Sequence, residues 1–173
     1  MTQPENARIR KRLIGEERAP PAASVGELDI GSCATLLYSS EDADHPVDNL
    51  VDGTSGRGGT YWASARRDTT EQIELEFDRP ERIASMIYEV QELDQERTQQ
   101  VLVQVSADHG RSYRQVLAQD YTFSPRGATF QHEELRLDLP DTTNLRLTIV
   151  PNKGGSGFAT LTVLRLFRPV PTS

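Results

Sequence analysis

HPVDNLVDGTSGRGGTYW, from His45 to Trp62, sets an asparagine, an aspartate and two threonines around a glycine turn, just ahead of an aromatic pair and a run of strand-like sequence. Asp52 and Gly53 mark a tight turn, because an aspartate carboxylate caps its own backbone and glycine takes positive φ without steric cost. The same stretch gathers carboxylate, hydroxyl and carbonyl oxygens, the donors that a hard cation such as calcium takes. Gly53 to Thr60 also has the glycine spacing of a phosphate-binding loop. Gly59 stands where that loop needs lysine, however, and no parallel strand and helix flank it, so a glycine-rich connection is the better account.

Outward from this stretch the period is two. In TTEQIELEFDRP, Ile73, Leu75 and Phe77 alternate with Gln72, Glu74 and Glu76, which gives a strand one face to bury and one to wet. The alternation returns in Val101, Val103 and Val105, in Leu135, Leu137 and Leu139, and in Leu145, Leu147 and Ile149. Turn residues bound each run: Asp78-Arg79-Pro80, Asp108-His109-Gly110, Ser124 to Gly127, Pro140-Asp141 and Asn152 to Gly155. Strands are predicted over 34–39, 72–77, 82–91, 99–106, 112–118, 129–138, 144–150 and 158–167. Short strands at this spacing, without helical pattern between them, predict an all-β protein: an antiparallel two-sheet sandwich of the jelly-roll kind. The chain divides into a leader or docking arm (1–28), the sandwich (29–169) and a short tail (170–173).

Composition narrows the function. A formal net charge of -7 argues against general binding to nucleic-acid phosphate, which needs clustered Lys and Arg. Cys33 is the single cysteine, so neither an intrachain disulfide nor a multi-cysteine metal site can form. No apolar run is long enough for a membrane span or a signal-peptide core, and a cytoplasmic location is expected. His45, His109 and His132 lack the spacing of a zinc site, and no GxSxG nucleophile elbow occurs. Glu133 and Glu134 are neighbours on one strand and point to opposite faces, so they cannot act together on one bond. An enzyme is therefore not expected.

The order of features is informative as a whole: HPVDNLVDG, TYWAS, QIELEF, RIASMIYEV, VLVQVSADHGRSYRQV, LRLTI and GFATLTVLRLF. From Cys33 to Phe167 this resembles the discoidin family, also called the coagulation-factor type C domain, within the galactose-binding-like jelly rolls. Relatives that hold calcium place it between the Asp-Gly turn and the last strand. The resemblance therefore implies, as ligands, the carbonyl of Asn49, the carboxylate of Asp52, the carbonyl of Thr54, the carbonyl and hydroxyl of Thr60, and the carbonyl of Ala159. Thr160 stands where many relatives supply a glutamate, which removes a charge and with it affinity. The competing reading is that Asp52 and Thr60 only hydrogen-bond their loop.

The resemblance implies a binding module whose ligand, in sugar-binding relatives, sits on loops at one end of the sandwich. Loop residues able to stack on or read a sugar are His45, Arg57, Arg97, Arg126 and Asn152, with Tyr38, Arg66, Arg67, Tyr121 and Phe123 as further candidates. For Tyr121 and Phe123 core packing is the preferred reading, and Trp62 reads as a core aromatic closing one end of the sandwich. Two functions stay open: recognition of a carbohydrate, or an intracellular scaffold that contacts another protein through a sandwich face and the N-terminal arm.

Overall fold

The computed structural model describes residues 10–13 and 26–170. Its strands are β1 (Lys11–Leu13), β2 (Ala34–Tyr38), β3 (Trp62–Ala63), β4 (Glu71–Gln91), β5 (Arg97–Ser106), β6 (Arg114–Phe123), β7 (Phe130–Val150), β8 (Thr160–Leu161) and β9 (Val163–Phe167). One helical turn, α1 (Ile30–Cys33), precedes β2, and a 3-10 turn spans Val47–Val51. No described helix is long and apolar enough to cross a membrane.

Two pairs of predicted strands turn out to be single strands. The runs at 72–77 and 82–91 are the halves of β4, and those at 129–138 and 144–150 are the halves of β7. On β4 the buried apolar positions are Ile73, Leu75, Phe77 and Ile83, then Met86, Tyr88 and Val90. The inward phase changes from odd to even where the β4–β7 register shifts, between Glu76 and Ser85. Extra residues at a bulge bend a strand and turn its side chains over, which is what keeps both halves apolar toward one core. On β7 the matching bend carries Asp138 and Asp141 at φ 48 and 40. The predicted strand at 158–167 divides instead: β8 pairs with β3, and β9 pairs with β4.

The larger layer runs β1-β2-β4-β7-β5-β6, and the second halves of β4 and β7 fold over with β9 to form the facing layer. Tyr88 and Tyr121 meet across the interior edge-to-face, with ring centroids 5.8 Å apart and hydroxyls hydrogen-bonded to each other. Leu36, Ile73, Leu75, Val101, Leu145, Leu147 and Ile149 fill the core from one side, and Met86, Val90, Leu164 and Leu166 from the other. Each such side chain contributes about 1.5–3 kcal/mol by leaving water. Trp62, Tyr121 and Phe123 are buried, so their core reading holds. Cys33 is buried as well, and desolvation pushes its thiol up to about 11, which makes it inert at neutral pH.

The strands of the predicted sandwich pair antiparallel, as expected, and the one parallel pair, β1 with β2, brings in residues of the predicted leader. Leu28 is buried and its N–H donates to the Leu166 carbonyl at 2.8 Å, so packing begins ahead of residue 29. Residues 1–9 and 14–25 of the leader, and residues 171–173 of the tail, lie outside the described residues.

The β5–β6 connection shows how local polar chemistry shapes a turn. The Asp108 carboxylate accepts from the Ser112 hydroxyl at 2.5 Å, the Ser106 hydroxyl at 2.7 Å and the Ser112 N–H at 2.9 Å. These bonds favour the charged form and hold the carboxyl down to about 2. A depressed folded-state value means the stabilisation is full above the unfolded carboxyl's range near 4 and is lost as pH falls toward 2. We expect an NMR titration of the Asp108 carboxyl carbon to give a midpoint near 2, and Asp108→Asn to flatten the acid limb of stability in that window; an ordinary midpoint would contradict the geometry.

Candidate functional site

Because β4 and β7 each start and finish at the same end, five connections gather there: 39–46, 64–70, 92–96, 124–129 and 151–159. Backbone bonds tie them together. Asp42 N–H donates to the Ala63 carbonyl at 2.8 Å, Ala63 N–H to His45 at 3.1 Å, Glu92 N–H to Thr129 at 2.8 Å and Lys153 N–H to Thr98 at 2.8 Å. Trp62 anchors the group from below, its indole N–H donating to the Ser40 carbonyl at 3.1 Å.

Arg97 is the hub of this end, and it corrects the sequence reading. It was expected as a loop residue available to ligand, yet it is 3 % exposed. Its Nε donates to Glu92 Oε1 at 2.7 Å. Nη1 donates to Gln99 Oε1 at 2.7 Å and to the carbonyls of Pro151 at 3.0 Å and Phe158 at 2.9 Å, while Nη2 donates to Thr160 Oγ1 at 2.6 Å. Alternation along β5 turns position 97 inward with Gln99 and Val101, and the guanidinium fork then satisfies carbonyls that the 151–159 loop would otherwise leave unpaired. Asn152 is likewise committed to the loop itself: Oδ1 accepts from Thr98 N–H at 3.2 Å, and Nδ2 donates to the Ser156 carbonyl at 3.2 Å.

Two aromatic rings at this end face solvent. The exposed large apolar side chains among the described residues are Tyr61 (37 %), Leu93 (56 %), Phe158 (39 %) and Val170 (77 %), and the first three all lie here. Tyr61 stacks on His45 with centroids 4.2 Å apart and planes 20° apart, and His45 Nδ1 pairs with Asp42 Oδ2 at 2.6 Å. Burial raises the Tyr61 hydroxyl above its usual range, helped by the negative field of Asp42, Asp94 and Glu92. Phe158 lies under the Arg67 guanidinium, 5.4 Å from its centroid. Arg67 Nε donates to Ser156 Oγ at 2.7 Å, and Gly157 N–H donates to Asp68 Oδ1 at 2.7 Å, so the loop carrying Phe158 is braced on both sides. The Gly157 and Ser156 bonds hold the Asp68 carboxyl below its usual range.

The sequence candidates thus separate. His45 sits in the aromatic cluster, and Arg126 is exposed in the 124–128 turn at the same end. Arg57 lies at the margin, donating to Thr129 Oγ1 at 3.1 Å and lying over the Phe130 ring at 5.3 Å. Arg66 is held by the buried Glu71, with both N–O distances 3.0 Å, and Tyr38 lies beneath Lys11. Tyr61 and Phe158 were missed. Alternation gave no signal for them, because both lie just outside the strands and the neighbouring Trp62–Ala63 and Leu161 to Leu164 are buried consecutively.

The glycine turn brings Asn49, Asp52, Thr54 and Thr60 together as the resemblance implied. Asp52 Oδ1 accepts from Thr54 N–H at 2.9 Å and Thr54 Oγ1 at 2.8 Å, and Oδ2 accepts from Thr60 Oγ1. Ala159 is not part of the group. The β3–β8 pairing sets it opposite Ser64, where its carbonyl accepts the Ser64 N–H at 2.9 Å, and the last strand presents apolar Val163 to the cleft beside Gly53 and Thr54 instead. The donors are of the type calcium takes, with Asp52 the one carboxylate among them.

The F5/8 type C domain family matches residues 36–163. No curated protein matches the sequence. Among solved structures, the chain is similar to the family 32 carbohydrate-binding module of Clostridium perfringens NanJ in complex with galactose (TM-score 0.56, 13 % identity, 78 % of this chain and 93 % of that one). It is also similar to a family 32 module from a C. perfringens family 31 glycoside hydrolase (TM-score 0.60, 16 % identity, 83 % and 95 %). A third C. perfringens module, CpGH89CBM32-5 in complex with GalNAc-β-1,3-galactose, aligns with TM-score 0.57 at 19 % identity over 82 % and 99 %. With the bent β4 and β7, the gathered loops and a family match over most of its sandwich, this chain belongs to the F5/8 type C domain family.

Proposed function

We propose that this chain is a non-catalytic carbohydrate-binding module whose ligand lies against Tyr61 and Phe158 at the loop end. The observation that carries this reading is the concentration of exposed aromatic surface there, on loops braced by the buried Arg97. A ring face takes the apolar C–H surface of a sugar, and His45 and Arg67, each against one of these rings, stand near enough to read hydroxyls. Similar folds solved with galactose, GalNAc-β-1,3-galactose and 4,5-unsaturated mannuronic acid support a sugar as the ligand, and the negative field of Asp42, Asp94 and Glu92 at Tyr61 favours a neutral one. On a glycan array followed by calorimetry, binding to a neutral glycan is expected, with Tyr61→Ala and Phe158→Ala each costing about 1 kcal/mol, roughly fivefold in affinity. Absence of binding to every neutral glycan, or full affinity in the double substitution, counts against it.

The Asp52 turn, on this reading, is closed by its own hydrogen bonds without need of calcium. Asp52→Ala is expected to lower stability by about 1 kcal/mol, equally in calcium and in chelator. A loss seen only with calcium would instead mark a metal that stabilises the native state by mass action.

A further inference from the structure

We propose, building on the sugar-binding reading, that Tyr61 and Phe158 are two subsites of one extended site, and that the ligand is a linear neutral oligosaccharide laid across Leu93 and not a single sugar. The rings stand at opposite ends of the short β3–β8 ladder. Trp62 pairs with Leu161 and Ala63 with Thr160, and the contact runs on to Ser64 and Ala159, where Ser64 N–H donates to the Ala159 carbonyl at 2.9 Å and Ala159 N–H to Ser64 Oγ at 3.0 Å. Tyr61 comes just before Trp62, whereas Phe158 comes just before Ala159, which sets it level with Ala65 on the other strand. Four residues of extended chain separate Tyr61 from Ala65, about 13 Å at the rise of a strand.

Each ring is fixed by neighbours of its own. Tyr61 stacks on His45 at 4.2 Å, and its carbonyl accepts from Asn49 Nδ2 at 2.9 Å. Phe158 lies under Arg67, and its carbonyl accepts from Arg97 Nη1 at 2.9 Å. These two sets share no residue, so nothing draws the rings together over one small ligand. Stacked rings keep their centres about 4.5–7 Å apart, so a single hexose that covers one ring stops short of the other. About three linked hexoses, one on each ring and one between, match the span of the ladder.

The 92–96 connection lies along that path. Glu92 and Asp94 stand close enough to Tyr61 to act on its hydroxyl, and at the other end the Gln95 amide donates to the Ser156 carbonyl, two residues short of Phe158. Leu93, carried between these contacts, is 56 % exposed and offers apolar surface to the middle sugar. Arg97 anchors the connection through Glu92 at 2.7 Å, so all three apolar groups are in place before a ligand arrives, which lowers the ordering cost of binding. The carboxylates of Asp42, Glu92 and Asp94 at the Tyr61 end repel an acidic chain.

The test is calorimetry on the full chain with galactose, glucose and their linear β-linked dimers, trimers and tetramers. In one series the trimer is expected to bind at least about fivefold tighter than the single hexose, one per chain, with the tetramer adding little. Tyr61→Ala and Phe158→Ala should each return the trimer to the affinity of the single hexose. Leu93→Ser should weaken the trimer severalfold at an unchanged melting temperature, since the side chain is exposed. A single hexose that binds as tightly as its trimer overturns the extended site and leaves sugar binding standing, and so do two hexoses bound per chain with no gain on linking them. No binding across both series overturns it as well, and the glycan array then tells whether sugar binding as such has failed.

Discussion

Arg97→Ala is expected to cost about 3–5 kcal/mol, because it leaves Glu92 without its cation and strips donors from Gln99, Thr160 and the carbonyls of Pro151 and Phe158 in a site closed to water. For a chain of this size the melting temperature should fall by on the order of 10 °C. Arg97→Lys should recover little of it, since one ammonium cannot reach five acceptors held by a planar fork. The same substitution should weaken sugar binding without touching sugar: Phe158 is presented by a loop whose carbonyls Arg97 holds. Thermal melts of both variants decide the matter, and a loss below about 1 kcal/mol in Arg97→Ala would mean water replaces the network at no great cost.

Trp62→Ala should be of similar size. The indole is fully buried between the layers, and removing it leaves a large cavity, for which about 3–5 kcal/mol is usual. Trp62→Phe keeps most of the volume and loses only the N–H bond to the Ser40 carbonyl, about 1 kcal/mol. The two together separate packing from hydrogen bonding. Trp62 is also the single tryptophan, so blue-shifted emission from the native chain reports on this site alone. Similar losses in both variants would show that the bond to Ser40, and not the filled volume, holds the loop end in place.

The strands were legible because alternation is local. Ile73-Leu75-Phe77 and Leu145-Leu147-Ile149 declare an inner and an outer face from their own spacing, and they pair in the structure as neighbours. That β4 and β7 each run on through a bend was not legible, since Asp78-Arg79-Pro80 and Pro140-Asp141 have turn composition whether a strand ends there or bulges and continues. The site was legible in its location more than in its residues. His45, Arg97, Arg126 and Asn152 all come to the loop end, but arginine and asparagine in a loop look alike whether they face a ligand or tie the loop to its base. Arg97 and Asn152 prove to be ties. Ala159 was placed by analogy with relatives and misplaced, because a register in which it faces Ser64 depends on how β3 and β8 meet across the sandwich.

By itself the order of side chains along the chain decided that there would be two apolar faces to close on each other. Alternation and turn preference act between near neighbours, so they can be read one residue after another. Which loops share an end, which guanidinium is buried and which ring is left facing water were decided only when β4 and β7 doubled back, because burial is a property of what comes to lie on top. The same holds for the edge of β2, where residues far apart in the chain, Arg10 with Asp78 and Lys11 with Glu41, meet only after the sheet exists to bring them together.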